Sequence, residues 1–223
     1  MANNKTPQVF FVSDTHYSHS NICRGITKWG TTDEDGTFHR DEKGTRDFDT
    51  LEEMNDAIVK GINDKVMPDD ILYHLGDWSF GGFDNIKEFR DRINCKNVHL
   101  ILGNHDHHIA RNKGNITDLF SSVAHYRELK ISGQTMIMSH YPMVVWNHHY
   151  DLKNPSIMLF GHCHGNLDAK HLGGRKTMDI GIDTHPEFRP YHIDEIKEIM
   201  ETRTVEFVDH HNAETTNHNI VEK

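Results

Sequence analysis

Five apolar runs in this chain each stop on a side chain able to hold a metal or move a proton, and this recurrence constrains the fold most. "QVFFVSD" runs into Asp14-Thr15-His16, "DILYHLGD" into Gly76-Asp77, and "VHLIL" into Gly103-Asn104-His105-Asp106. "TMIMSH" closes on Ser139-His140 ahead of Tyr141-Pro142, and "SIMLFGH" leads into Gly161-His162-Cys163-His164. Any one of these reads as a turn. Together they set carboxylates, imidazoles and one amide at successive strand ends, the edge at which α/β folds bind ligands. Such a donor set suits hard-to-borderline divalent ions such as Mn²⁺, Fe²⁺ or Zn²⁺.

The segments between these runs fix the class. "TLEEMNDAIVKGIND" (Thr50–Asp64) joins a Thr cap to Glu53 and spaces Leu51, Met54, Ile58 and Ile62 helically. "NIKEFRDRI" (Asn85–Ile93) reads as a second helix. Strands then follow one another in "ELKIS", "TMIMSH", "SIMLFGH" and "TMDIGID". Strand–helix alternation followed by consecutive strands predicts an α/β domain with a two-sheet core. The polar, Gly-rich stretch Gly30–Asp47 predicts a long surface loop, one that could lie over the site.

Composition narrows the partners. A formal charge of −10 argues against a broad basic surface tracking a nucleic-acid backbone, so extended nucleic acid is disfavoured. Three cysteines without a C-x-x-C pair suit a reducing compartment. With no signal-like N-terminus and no run of membrane-spanning length, the expected setting is cytoplasmic, away from membranes. From Asp209 onward apolar residues are sparse, which predicts a disordered tail (209–223) behind a domain of residues 1–208.

In order, "SDTH", "GD", "GNHD", "SHYP" and "GHCH" resemble the five blocks of the calcineurin-like metallophosphoesterases. "SDTHYSHSNI" and "HYPMVVWN" are most similar to small bacterial and phage-type members, and the likeness runs through "DIGID" to about Met200. The resemblance implies a four-layer α/β/β/α sandwich of two mixed sheets with a dinuclear metal site at one edge. It places Asp14, His16 and His164 on one ion, Asn104, His140 and His162 on the other, and Asp77 between them. Two divalent ions are implied, Mn preferred, with Fe, Zn or Ni as alternatives. Two carboxylates and a bridging hydroxide would offset three of four positive charges, and neutral Asn104 leaves about one to attract phosphate. The hydroxide would attack phosphorus in line.

His105 is expected to stand beside the ions as the catalytic acid, with Asp106 orienting it and holding it protonated, and Gly103 allowing a tight turn. His107 and His108 are expected at the surface. His19 and Asn21 either contact substrate phosphate or make loop hydrogen bonds, and Trp146 either walls a substrate ring or packs beneath its loop. Arg24 and Arg46 are candidates for a second phosphate contact. His74 is expected to be buried and hydrogen-bonded, and Cys163 to turn into the core. The expected activity is hydrolysis of a phosphodiester in a small nucleotide or cyclic nucleotide. A phosphomonoesterase, a nuclease of the same superfamily and a non-phosphate metallohydrolase are the alternatives. Oligomeric state stays open, with a homodimer as one option.

Overall fold

The computed structural model describes residues 6–167, 172 and 174–207, so the tail expected from Asp209 lies outside the described residues. Its first apolar run forms β1 (Val9–Val12). Next come the short strands β2 (Gly30–Thr32) and β3 (Phe38–Arg40), α1 (Leu51–Asn63), β4 (Ile71–His74), α2 (Phe83–Arg92) and β5 (Asn97–Ile101). The second half holds α3 (His107–Ala110), β6 (Ser122–Ala124), β7 (Tyr126–Ile131), β8 (Gln134–Ser139), β9 (Ile157–Phe160), β10 (Thr177–Asp179), β11 (Tyr191–His192) and α4 (Ile193–Glu201).

These strands make an α/β fold with two mixed sheets. One runs β11-β1-β4-β5-β6, parallel except for the antiparallel edge strand β11. The other runs β10-β9-β8-β7, with only β7 and β8 antiparallel. Register pairs Val12 with His74 and His74 with Leu100, so three parallel strands release their following loops at one edge. A parallel bridge between Ser13 and Gly181 joins the segments following β1 and β10 at that same edge.

Period-two alternation sorts the core. Along β1, Phe10 and Val12 face the helices, where Ile58, Ile62 and Phe89 cover them together with Trp78. Phe11 points the other way, with Tyr73, Leu75 and Ile101, onto Met136, Met138, Ile157 and Leu159 of the second sheet. Ile137, Met158 and Phe160 face outward again, under Trp146 and Leu172. Trp146 is therefore a packing residue: it is 7% exposed, and its indole N–H donates to the Ser156 carbonyl at 3.3 Å. Of its two expected roles, a substrate wall or packing, the structure shows the packing.

Helix α1 begins as its sequence dictates, with Thr50 and Glu53 forming a reciprocal capping box. Helix α4 and the strands β6 and β11 have no counterpart in the sequence reading. The two strands are 3 and 2 residues long, too short to show alternation, and α4 starts directly from β11 with His192 as its cap. α4 gives Ile193, Ile196 and Met200 to the inter-sheet core. The expected loop 30–47 instead contains an exposed hairpin of β2 and β3. No helix among the described residues is long and apolar enough to cross a membrane.

Leu100 is fully buried in the helix-side core, whereas Thr50 only caps. Leu100→Ala is expected to cost about 2–5 kcal/mol, and Thr50→Ala about 0.5–2 kcal/mol. Urea unfolding reads both, and equal losses would overturn this division of labour.

Candidate metal centre

Strand ends alone do not aim the side chains; strained backbone does. Asp14, His16, Asp77, His162 and His164 all have positive φ, between 47° and 70°, which β-carbon-bearing residues rarely adopt. Such outliers persist only where neighbours over-determine them. Here the Asp14 amide donates to Gly76 O at 2.9 Å and the His16 amide to Asp77 O at 3.0 Å, so the first two loops hold each other.

Two glycines allow the loops to close up. A β-carbon on Gly103 would lie 2.3 Å from Asp77 Oδ1, and one on Gly161 would lie 2.4 Å from Asp14 Oδ2. Gly103 has no positive φ. It still opens the tight turn expected of it, the Asp106 amide donating to its carbonyl at 3.3 Å, and it also permits close approach to Asp77.

The residues expected as ligands come together as two groups. Asp14, His16 and His164 form one, and Asp77, His140 and His162 the other, with the ligand atoms of each group within 4.8 Å of one another. In the first, His16 Nε2 lies 3.1 Å from His164 Nε2, and both lie 3.8 Å from Asp14 Oδ1. In the second, Asn104 Oδ1 lies 2.9 Å from both His140 Nε2 and His162 Nδ1. Donors sharing an ion at about 2.0–2.2 Å stand roughly 3.0–3.5 Å apart. Asp77 Oδ2 joins the groups, 3.5 Å from His16 Nε2 and 3.6 Å from His140 Nε2.

Tautomers at His140 and His164 suit ligation. His140 Nδ1 donates to the Leu75 carbonyl and His164 Nδ1 to Asp183 Oδ2, both at 2.8 Å, which leaves each Nε2 with its lone pair toward the group. Burial lowers His140 to about 4 and drives His16 well below the usual imidazole range, Arg46 adding to the latter. Burial pushes Asp14 up to about 7 against the pull of His164. Asp14 Oδ1 is buried with no hydrogen-bond partner, although two imidazole nitrogens face it. A cation among these donors would satisfy it.

Sequence reasoning missed the support behind the first group. Arg46 is 7% exposed and does not await a phosphate. Its Nη1 and Nη2 donate to the carbonyls of Thr15 and Asp14 at 2.7 and 2.6 Å, and Nε and Nη2 grip both oxygens of Asp183 at 2.7 and 2.9 Å. Burial alone would raise Asp183, but Arg46 and His164 overcome it and hold the carboxyl below its usual range. The other phosphate candidate, Arg24, pairs with exposed Asp47 at 2.8 Å. The second carboxylate of "DIGID" was the available signal for Asp183.

Asp106 also differs from expectation. Its buried carboxylate accepts from the backbone amides of Asp77, Trp78 and Gly103 at 2.8, 2.9 and 2.8 Å, so it braces two loops and is not spent on the His105 ring. Adjacent side chains at this turn diverge. The exposed ring of His105 instead packs by Phe80 and His16, at centroid distances of 4.7 and 5.5 Å, with Nε2 4.0 Å from Asp77 Oδ2. His19 is at the site, stacked on Phe80 at 3.6 Å, and burial lowers it to about 4. Asn21 makes the loop bond that was its alternative, its Oδ1 accepting from the Lys28 amide at 3.3 Å. His74 is buried and bonded to Thr15 Oγ1 at 2.8 Å, and His107 and His108 are exposed. Cys163 sits half-buried in a turn against the outer cluster.

No protein-family model matches the chain. It is 24% identical over 198 residues to the uncharacterized protein MJ1445 of Methanocaldococcus jannaschii, covering 87% of this chain and 92% of that protein. The crystal structure of AQ665 from Aquifex aeolicus, a protein of unknown function, superposes with a TM-score of 0.59 at 20% identity. That match covers 86% of this chain and 99% of the other, and it shows a shared fold.

Gly103→Ala forces a methyl group against Asp77 and is expected to cost about 1–3 kcal/mol. Exposed His107→Ala should stay within about 0.5 kcal/mol. Melting temperatures of the two variants check this, and a Gly103→Ala variant that melts like the parent would refute the close approach.

Proposed function

We propose that this protein is a dinuclear-metal phosphoesterase of the calcineurin-like type, acting on a phosphodiester in a small nucleotide or cyclic nucleotide. The observation that carries the reading is the placement of Asp77 Oδ2, almost equally far from His16 Nε2 and His140 Nε2, one donor from each group. A carboxylate so placed can bridge two ions and screen their repulsion. The helix–sheet–sheet stacking supports three layers of the α/β/β/α sandwich of that family, and residues outside helices, among them Trp146 and Leu172, cover the outer face of the second sheet.

Oxygen and imidazole donors without a thiolate suit hard-to-borderline divalent ions, and among these the family resemblance points to Mn²⁺, with Fe, Zn and Ni ions as alternatives. Asp14, His16 and His164 would hold one ion, Asn104, His140 and His162 the other, and Asp77 both. Two such ions supply an activated water and neutralise phosphate charge. The chain's own contribution is then order and a proton. Asp106 locks the loop carrying His105 by its three amide bonds, and Phe80 and His16 flank the ring. His105, exposed and in neither group, can deliver its Nε2 proton to the departing oxygen. The net charge of −10 argues for a small substrate over extended nucleic acid.

Elemental analysis should find two ions per chain after Mn²⁺ loading. Asp77→Asn should weaken both and His140→Ala mainly one. Because protons compete for Asp14, and for His164, which Asp183 and Asp14 raise against burial, Mn²⁺ affinity should fall by about tenfold or more per pH unit below pH 7 and level off at higher pH. Titrations between pH 5.5 and 8.5 test this; a pH-independent affinity removes Asp14 from the ligand set.

His105→Ala should keep both ions, lose little on an aryl diester whose nitrophenolate leaves unaided, and lose about 10²–10⁴-fold on a nucleotide diester that expels an alkoxide. Asp106→Asn should differ by weakening metal as well, since Asp77 hangs on its carboxylate. Turnover on aryl diester, aryl monoester and cyclic nucleotides, beside metal content, separates these cases. A parent active only on the monoester would overturn the diester assignment.

A further inference from the structure

We propose that Arg46 is a positioning residue which makes the Asp14/His16/His164 group the tight, first-filled metal site and leaves the Asp77/Asn104/His140/His162 group as the weaker, exchangeable one. The proposal rests on the dinuclear reading above. It goes beyond it by assigning an order to the two sites and a cause for that order.

One guanidinium holds Asp14 directly by its carbonyl, His16 through the carbonyl of Thr15 before it, and His164 through Asp183. Through Nη2 it holds the carbonyl of Asp14, and through Nη1 that of Thr15, the carbonyls of the two consecutive peptides that join Asp14 to His16. Asp14 and His16 both have positive φ, so this short loop relaxes unless its carbonyls are pinned. Through Nε and Nη2 the same group grips Asp183 by a two-pronged bond, and Asp183 in turn accepts from His164 Nδ1 at 2.8 Å. A charge-assisted fork of this kind fixes direction as well as distance. Arg46 itself is anchored. Its amide donates to Ile22 O at 2.6 Å, its carbonyl accepts from the Arg24 amide at 3.0 Å, and its guanidinium lies 5.3 Å from the Phe188 ring centroid.

The second group is supported differently. His140 is buried and oriented by the Leu75 carbonyl, but His162 and Asn104 are exposed. The His162 ring meets Asn104, His140 and Tyr141, each of which lies at the group itself or beside it. Ligands already fixed lose less freedom on binding, so the preorganised group should fill first and empty last.

Mn²⁺ titration of the metal-free full-length protein by calorimetry at pH 8, without substrate, tests this. The parent should show one tight step and one weaker step. Arg46→Met should raise the dissociation constant of the tight step about 10–100-fold and leave the weaker step in place. Arg46→Lys should rescue little, because an ammonium cannot reproduce the fork. Asp183→Asn, which keeps the volume, should move the same step by a smaller factor, and it decides the matter if Arg46→Met does not fold by circular dichroism. His162→Ala should move only the weaker step. Two equal steps in the parent, or Arg46 and Asp183 variants that shift both steps alike or neither, would overturn the proposal. A parent that binds no Mn²⁺ would instead sink the dinuclear reading itself.

Discussion

Two carboxylates, Asp14 and Asp77, are buried close together where the edges of two sheets meet, and the surrounding structure offsets the cost of putting them there. Desolvation raises both. Asp77 Oδ1 is answered by the His105 amide, and Asp14 Oδ2 by the amide of His162. The remaining carboxylate oxygens, Asp14 Oδ1 and Asp77 Oδ2, look onto imidazole nitrogens held at 3.5–3.8 Å. Left-handed backbone at five of the site residues, and glycines with no room for a methyl group, are what bring those donors close.

The parts of the fold with strong local signals were readable. Helix α1 carries its capping box and its 3.6-residue spacing in one continuous stretch, and the central strands are long enough to show their apolar character. Strands of 2 or 3 residues and a helix that starts without a break from one of them carry no such signal. The candidate donor set was legible because its members follow strand ends and the blocks keep their order. Its supports were not. Arg46 is a lone cation in a polar loop, and the carboxylate it grips lies 137 residues away, a pairing no period or propensity reveals. Asp106 misled through adjacency, since a residue beside His105 need not face it once the chain turns. Trp146 misled through its neighbours: it follows the His140 loop in sequence but folds under the outer face of the second sheet.

The two misassignments share a lesson about charge at this site. Asp106 was expected to orient His105, and Arg46 was a candidate for a second phosphate contact, yet both spend hydrogen bonds on backbone of the loops that present the candidate donors. A buried charge satisfied by amides or carbonyls is a structural strut, and it is costly to remove because the backbone groups it served are left unpaired. Exposed His105 and half-buried His19 and Phe80 lie beside the two donor groups without belonging to either.

The bridge between Ser13 and Gly181 marks a seam. Asp14, His16, Asp77 and Asn104 follow strands of one sheet, whereas His140, His162 and His164 follow strands of the other. Neither sheet alone carries a complete donor group. A partly folded chain with one sheet formed would therefore be blind to metal, and the proposed ions would act as clasps that engage only after the halves have docked. Their binding energy would then deepen the cooperativity of the last folding step instead of guiding the first. Opening along the seam would scatter both sites at once, without unravelling a single helix.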